Sequence, residues 1–468
     1  MKVPSIFVCF LFAVLPSFAQ VSAPAGLPEK LESGKVIERV VCAKIPEQSY
    51  ALYLPSNYSP DRSWPVVFAF DPGARGKIPV ELMKDAAERY GYIVLGSNNS
   101  RNGPWKPEVD AADAMLQDAQ QRFNVDLKRI YFAGFSGGAR VASQLAQLCK
   151  CAAGVLLSGA GFSQNSPPLR DASFPVFSAV GNLDFNYSEL IPLQEKLDRS
   201  GFPHWLRVFA GRHEWAPAEV MAEAFAWFRV ESIREKREPR DEQFIAAEFA
   251  SAVAVAEKYA ASGDLLTAWR QYKQIGATYA GLADTAAFRG KAEELSQTKP
   301  VREGLKRERN DFEAQERLSS QILGAAQSKE NAEAPRSEDQ PGVAPQVRDL
   351  RQRAESEKKA ERAVVLKRAL AGVFVGAIEA GSGALDRKEY RLAARYFSAA
   401  VEARPEAEWP LRQLAIAQAL DKDRKAALET LRRIKPSDSV EFQSWLRTEP
   451  AFAELRNRNE MKGLLKIS

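Results

Sequence analysis

Ser136 lies in Gly134-Phe135-Ser136-Gly137-Gly138, a G-x-S-x-G pattern between an apolar run and a helical one. In that context the serine hydroxyl is presented on a sharp strand-to-helix turn, the geometry of a nucleophile. A hydroxyl attacks a carbonyl only when a base removes its proton, and imidazole is the side chain that does so near neutral pH. The 468 residues include only two histidines, His204 and His213. His213 stands in Gly211-Arg212-His213-Glu214-Trp215, just past the apolar run 204–209, whereas His204 opens that run and reads as structural. A carboxylate must orient the imidazole. Asp184, in Gly181-Asn182-Leu183-Asp184 past the run 176–180, is the leading candidate, with a turn-capping aspartate as its ordinary alternative. Asp171 and Glu189 are weaker substitutes. The chain order is then serine, acid, histidine.

The elements that must hold these groups alternate. Short β-type runs at 36–43, 49–54, 64–70, 92–96, 129–133, 153–158, 176–180 and 204–209 are separated by helical patterns at 80–89, 109–123, 138–148, 188–199 and 216–230. Such alternation predicts an α/β domain over 36–230, with a mostly parallel sheet covered on both faces. Ser136, Asp184 and His213 then share the carboxyl edge of the sheet. The polar loop Ser97-Asn98-Asn99-Ser100-Arg101-Asn102-Gly103-Pro104-Trp105 follows a strand and reaches the same edge, so Trp105, Asn98 and Asn99 are candidates for substrate binding.

Beyond 231 the β-type runs end and Ala, Glu, Arg and Leu dominate, as helices prefer. The spacing divides this part into a helical region at 231–325, a polar linker at 326–346 containing Pro335, Pro341 and Pro345, and a helical domain at 347–468. The linker composition predicts disorder. Gly381, Tyr390, Ala393, Phe397, Ala400 and Pro405 have the spacing of a tetratricopeptide repeat, and a shift of 34 residues brings Ala393 to Ala427 and Phe397 to Leu431. A similar hairpin is expected around Gly263-Asp264, Ala268, Tyr272 and Ile275. Stacked hairpins of this kind offer a surface to a protein or polymer partner.

The first residues read as a targeting segment. A basic Met1-Lys2, an apolar run at 6–15 and the small residues of Ser17-Phe18-Ala19 predict a signal peptide over 1–19. The run is too short to cross ~30 Å of hydrocarbon, so no transmembrane span is expected once it is removed. The expected location is the bacterial periplasm or the exterior. Cys42, Cys149 and Cys151 remain, an odd number whose pairing the sequence leaves open. With 65 basic and 60 acidic residues the net charge is +5, without a basic stripe, which argues against a nucleic-acid partner.

On the elbow at Ser136, the Asp184 and His213 segments and Phe70-Asp71-Pro72-Gly73 after the third run, residues 36–230 resemble an α/β-hydrolase. The flavour is that of secreted esterases of the polyhydroxybutyrate depolymerase and feruloyl esterase types and of dienelactone hydrolases. The resemblance implies an oxyanion hole with Gly137 N–H as one donor. The second is expected from Gly73 or Ala74, because Pro72 has no N–H and the His-Gly-Gly of many members is missing. It further implies acyl transfer on a small or polymeric ester without metal or organic cofactor. Two rival readings stand beside it: a related serine peptidase, and an idle hydrolase fold within a repeat-based interaction protein.

Because nucleophile and base act as a unit, His213→Ala should abolish hydrolysis of short p-nitrophenyl esters nearly as fully as Ser136→Ala. His204→Ala should move the melting temperature more than the turnover. The opposite pattern would make His204 the base.

Overall fold

The computed structural model describes residues 31–163, 174–328, 343–435 and 439–465. The expected signal segment 1–19, Asp171 and residues 329–342 of the expected linker lie outside them.

Runs rich in Val, Ile, Leu and Phe form eight strands: β1 (Val36–Val41), β2 (Ser49–Tyr53), β3 (Trp64–Phe70), β4 (Ile93–Ser97), β5 (Val125–Phe135), β6 (Ala152–Ser158), β7 (Val176–Gly181) and β8 (His204–Phe209). They join one sheet in the order β1-β2-β4-β3-β5-β6-β7-β8. β1 and β2 run antiparallel, and every pairing from β4 to β8 is parallel. Parallel strands are joined by crossovers that lay helices on both faces, so the central strands are buried throughout. In β3, Val66, Phe68 and Phe70 enter one core while Val67 and Ala69 enter the other. Helices α2 (Trp105–Arg122), α3 (Gly137–Cys149) and α4 (Tyr187–Arg199) cover the first face, and α1 (Lys77–Tyr90) and α5 (Ala218–Arg234) the second. The chain is therefore an α/β-hydrolase-type, mostly parallel sheet followed by an all-α region.

The all-α region comprises α6 (Glu242–Ala261), α7 (Leu265–Thr278), α8 (Ala286–Gln297), α9 (Lys299–Gln327), α10 (Val343–Ser356), α11 (Ala360–Asp386), α12 (Tyr390–Ala403), α13 (Glu408–Leu420), α14 (Arg424–Arg433), α15 (Val440–Thr448) and the short α16 (Asn459–Lys462) among the described residues. Its start near 231 marks a change of element, not a break in packing. Ile245, Ala256, Tyr272, Ile275 and Tyr279 share a core with Tyr131, Phe177 and Trp227, and Trp227 Nε1 donates to Thr278 Oγ1 at 3.1 Å. The stretch 326–346, expected to be a linker, is helical at both ends: α9 runs through Gln327, α10 starts at Val343, and Ala326 and Val343 are buried in one cluster. Further on, α11 and α12 form an antiparallel hairpin in which Gly381 faces Phe397; a Cβ on the glycine would lie 2.9 Å from the ring. Among the described residues no helix is long and apolar enough to cross a membrane. Cys149 and Cys151 form a disulfide at the end of α3, and Cys42 is free and buried.

Glu231 on α5 is 1% exposed, and its Oε1 has no partner among the described residues, although Arg234 pairs with Oε2. Burial pushes its pKa up to about 7, from 4.5 in an unfolded chain. The folded state therefore keeps a proton that the unfolded chain has lost, and stability drains away as pH rises from 4.5 through 7. Glu231→Gln removes this titration. Its melting temperature relative to wild type should climb between pH 5 and pH 8, and a constant difference would show that Glu231 is ionised throughout.

Candidate active site

The turn between β5 and α3 is sharp because three glycines surround it. Ser136 has φ 52° and ψ −122°, a conformation that side chains rarely adopt and that costs about 1–3 kcal/mol. Gly134 and Gly138 make it sterically feasible. A Cβ on Gly134 would lie 2.0 Å from Gly138 O, and one on Gly138 would lie 2.0 Å from Phe70 O. The helix behind the turn directs its first N–H groups and the positive end of its dipole toward the Ser136 hydroxyl.

Three side chains from the ends of β5, β7 and β8 meet at the carboxyl edge. His213 Nε2 lies 2.9 Å from Ser136 Oγ, and Nδ1 lies 2.9 and 3.0 Å from the two oxygens of Asp184. An ionised carboxylate can only accept, so the proton belongs on Nδ1 and the Nε2 lone pair is free to accept from Ser136. The imidazole packs between Phe135 and Phe185, with ring centroids 4.7 and 4.5 Å away. Asp184 is 0% exposed, and desolvation raises its pKa against the opposing pull of His213 and the Asn186 N–H at 2.8 Å. His204 sits at the opposite end of the sheet, where Nδ1 bonds Phe202 O at 2.9 Å and burial lowers its pKa. Glu189 is tied to Arg140 by two bonds of 2.9 and 2.8 Å.

The loop expected to give the second oxyanion donor is folded onto itself. Gly73 N–H donates to Asp71 Oδ1 at 2.8 Å and Ala74 N–H to Asp71 O at 3.1 Å. Buried Asp71 also accepts from Arg75 Nε and Trp215 Nε1, each at 2.8 Å, which ties this loop to the His213 segment. Gly73 and Ala74 are thus already engaged, and the sequence had no way to show it. Asn102 lies beside Gly137. Its side-chain amide packs on Gly137 so closely that a Cβ there would lie 1.8 Å from Oδ1. Half a turn about χ2 would exchange that oxygen for the donor Nδ2.

Ser136, Gly137, Asn102 and Trp105 line an open cleft of about 500 Å³ together with Glu108, Arg140, Phe185 and Glu379. Asn98 and Asn99 belong elsewhere: Asn98 donates to Glu38 O at 3.1 Å, and Asn99 bonds Ser49 N and Glu47 O at 2.8 and 3.0 Å. They pin the loop to β1 and β2, so of the three substrate-binding candidates only Trp105 reaches the cleft. Nothing in the sequence pointed to Glu379, which comes from α11 in the all-α region.

That region also grips the segment carrying Asp184. Arg368 Nε donates to Asn182 O at 2.8 Å while its guanidinium lies 3.6 Å above the Tyr187 ring. Gln315 Nε2 donates to Phe185 O at 2.6 Å. Ser136, Asp184 and His213 all precede residue 216, yet the segment carrying Asp184 is held by side chains beyond residue 300.

No protein-family model matches the chain, and neither does any curated protein sequence. Among solved structures it is similar to an esterase from the archaeon Pyrobaculum calidifontis (12% identity, TM-score 0.36, 43% of this chain and 87% of that one). It is also similar to an S-formylglutathione hydrolase from Staphylococcus aureus (14%, 0.36, 43% and 99%). A ferulic acid esterase gives 16%, 0.36, 42% and 98%. At these scores the fold assignment rests on strand order and direction.

Arg368→Ala should leave cooperative melting in place while reaction of Ser136 with a fluorophosphonate slows about tenfold, since a small misplacement of a reacting group is costly. An unchanged labelling rate would release the acid segment from any dependence on α11.

Proposed function

We propose that this chain is a serine hydrolase that cleaves carboxylic esters through an acyl-enzyme. The observation that carries the reading is the hydrogen-bonded series Asp184–His213–Ser136, with contacts of 2.9 Å at both joints. Ser136 Oγ adds to the ester carbonyl as its proton passes to His213 Nε2. Asp184 holds the ring and stabilises the imidazolium. The tetrahedral oxyanion collapses, the C–O bond to the alcohol breaks, and the alcohol leaves with the proton from His213. Water then attacks the acyl-Ser136 ester, again giving its proton to His213, and the acid departs as the serine is restored. In this scheme Gly137 N–H and the Asn102 amide stabilise the oxyanion.

The same proposal extends to the rest of the chain. The apolar run 6–15 and Ser17-Phe18-Ala19 support export to the periplasm or beyond. The hairpins at 360–433, spaced like tetratricopeptide repeats, are suited to a protein or polymer partner.

A fluorophosphonate probe should label Ser136 in the wild-type chain and nothing in Ser136→Ala. Failure to label would remove the serine from the chemistry. Asn102→Ala should lower kcat by about 10²–10³-fold with little change in KM, the usual cost of one oxyanion donor. A variant with full kcat would leave Gly137 without this partner.

A further inference from the structure

Two acidic side chains line the cleft. Glu108, in the first turn of α2, is only 8% exposed yet opens onto the cleft. It has no hydrogen-bond or ion-pair partner among the described residues, and burial alone pushes its pKa up to about 7. Glu379 reaches the same cleft from α11 and is open to the solvent there. Desolvation raises its pKa, with Arg140 and His213 acting the other way. Arg140 lines the cleft too, and Glu189 already neutralises it in a two-bond pair. Among the described residues Glu108 is left without a counter-charge. A buried carboxylate is costly unless something positive meets it. Among the described residues no side chain does so for Glu108. The aromatic rings of Trp105 and Phe185 line the same space, and aromatic faces attract cations, most strongly where water is excluded.

We propose that this cleft selects esters whose acyl or alcohol portion carries a cationic nitrogen, a protonated amine or quaternary ammonium, received by Glu108 and Glu379 beside Trp105 and Phe185. This rests on the serine hydrolase reading above and names the substrate class for it. The cation supplies the missing counter-charge to Glu108 and draws it into its ionised form, which the positive end of α2 also favours. Because Glu379 belongs to the all-α region, that region takes part in substrate choice.

The test is a ratio of specificity constants on the full chain. Choline butyrate is compared with its neutral isostere, 3,3-dimethylbutyl butyrate, to probe the alcohol side. The p-nitrophenyl ester of 4-(trimethylammonio)butanoate is compared with that of 5,5-dimethylhexanoate to probe the acyl side. In at least one pair kcat/KM should favour the cationic ester by about tenfold or more, the size expected for a cation on desolvated aromatic and carboxylate partners. Glu108→Gln and Glu379→Gln should each pull that ratio toward one, and the double variant should bring it to one. Tetramethylammonium should inhibit the wild-type chain competitively. Should a variant fail to fold, the wild-type ratios and this inhibition decide the matter. Ratios near one in both wild-type pairs, in a chain whose Ser136 takes up the fluorophosphonate, would overturn the cation site and leave the hydrolase standing. A chain that neither labels nor hydrolyses any of the four esters would overturn the hydrolase reading and the substrate class with it.

Discussion

A carboxylate sealed from water, Asp184, is the constraint around which the carboxyl edge of the sheet is arranged. Desolvation raises its pKa, and among the described residues the His213 Nδ1–H and the Asn186 N–H compensate the charge. That pair fixes the imidazole tautomer, and the tautomer makes Nε2 an acceptor facing Ser136. Geometry and electrostatics thus descend from a single burial. The parallel sheet makes it attainable, since β5, β7 and β8 all end at one edge and deliver three distant stretches of chain to a single point.

Keeping Asp184 dry needs more than the sheet. Phe185 covers the imidazole on one side, and α9 and α11 hold the segment around Phe185 through Gln315 and Arg368. The Arg368 guanidinium stacks on Tyr187, whose hydroxyl donates to Glu308 at 3.2 Å, while Glu308 also binds Arg270. A chain of charged and aromatic contacts therefore runs from α7 through α9 and α11 to the loop behind the acid. The all-α region is a wall of the cleft as well as a set of hairpins.

The loop after β3 is organised by a second buried carboxylate. Asp71 accepts from a backbone N–H, a guanidinium and an indole, and in doing so closes its own loop. The Gly73 and Ala74 amides are thereby engaged within the turn. Beside Gly137 lies the amide of Asn102, whose backbone N–H is anchored on Pro72 O at 2.9 Å. One loop locks the scaffold and its neighbour faces the cleft.

Local patterns carried a good deal of this. Runs of apolar residues of strand length, broken by Gly, Pro, Asn and Asp, marked all eight strands, most plainly the central ones, because a strand buried on both faces has few other compositions open to it. Gly134, Ser136 and Gly138 disclosed the elbow, because the turn tolerates no Cβ on either side. The positions just past β7 and β8 then singled out Asp184 and His213. Side-chain direction within a polar loop was not legible: Ser97 to Trp105 reads alike along its length, yet Asn98 and Asn99 bond β1 and β2 while Asn102 and Trp105 face the cleft. Nor could composition reveal that Gly73 and Ala74 had found acceptors in Asp71, a matter of loop closure. Glu379 and Arg368 look like ordinary charges on a long helix. Only packing of that helix against a loop nearly two hundred residues earlier in the chain turned one toward the cleft and the other onto the acid segment. Sequence by itself determined which elements form and which side chains have the right chemistry, since both depend on neighbours along the chain. Tertiary structure decided which polar groups are already engaged and what closes the cleft, since those depend on neighbours in space.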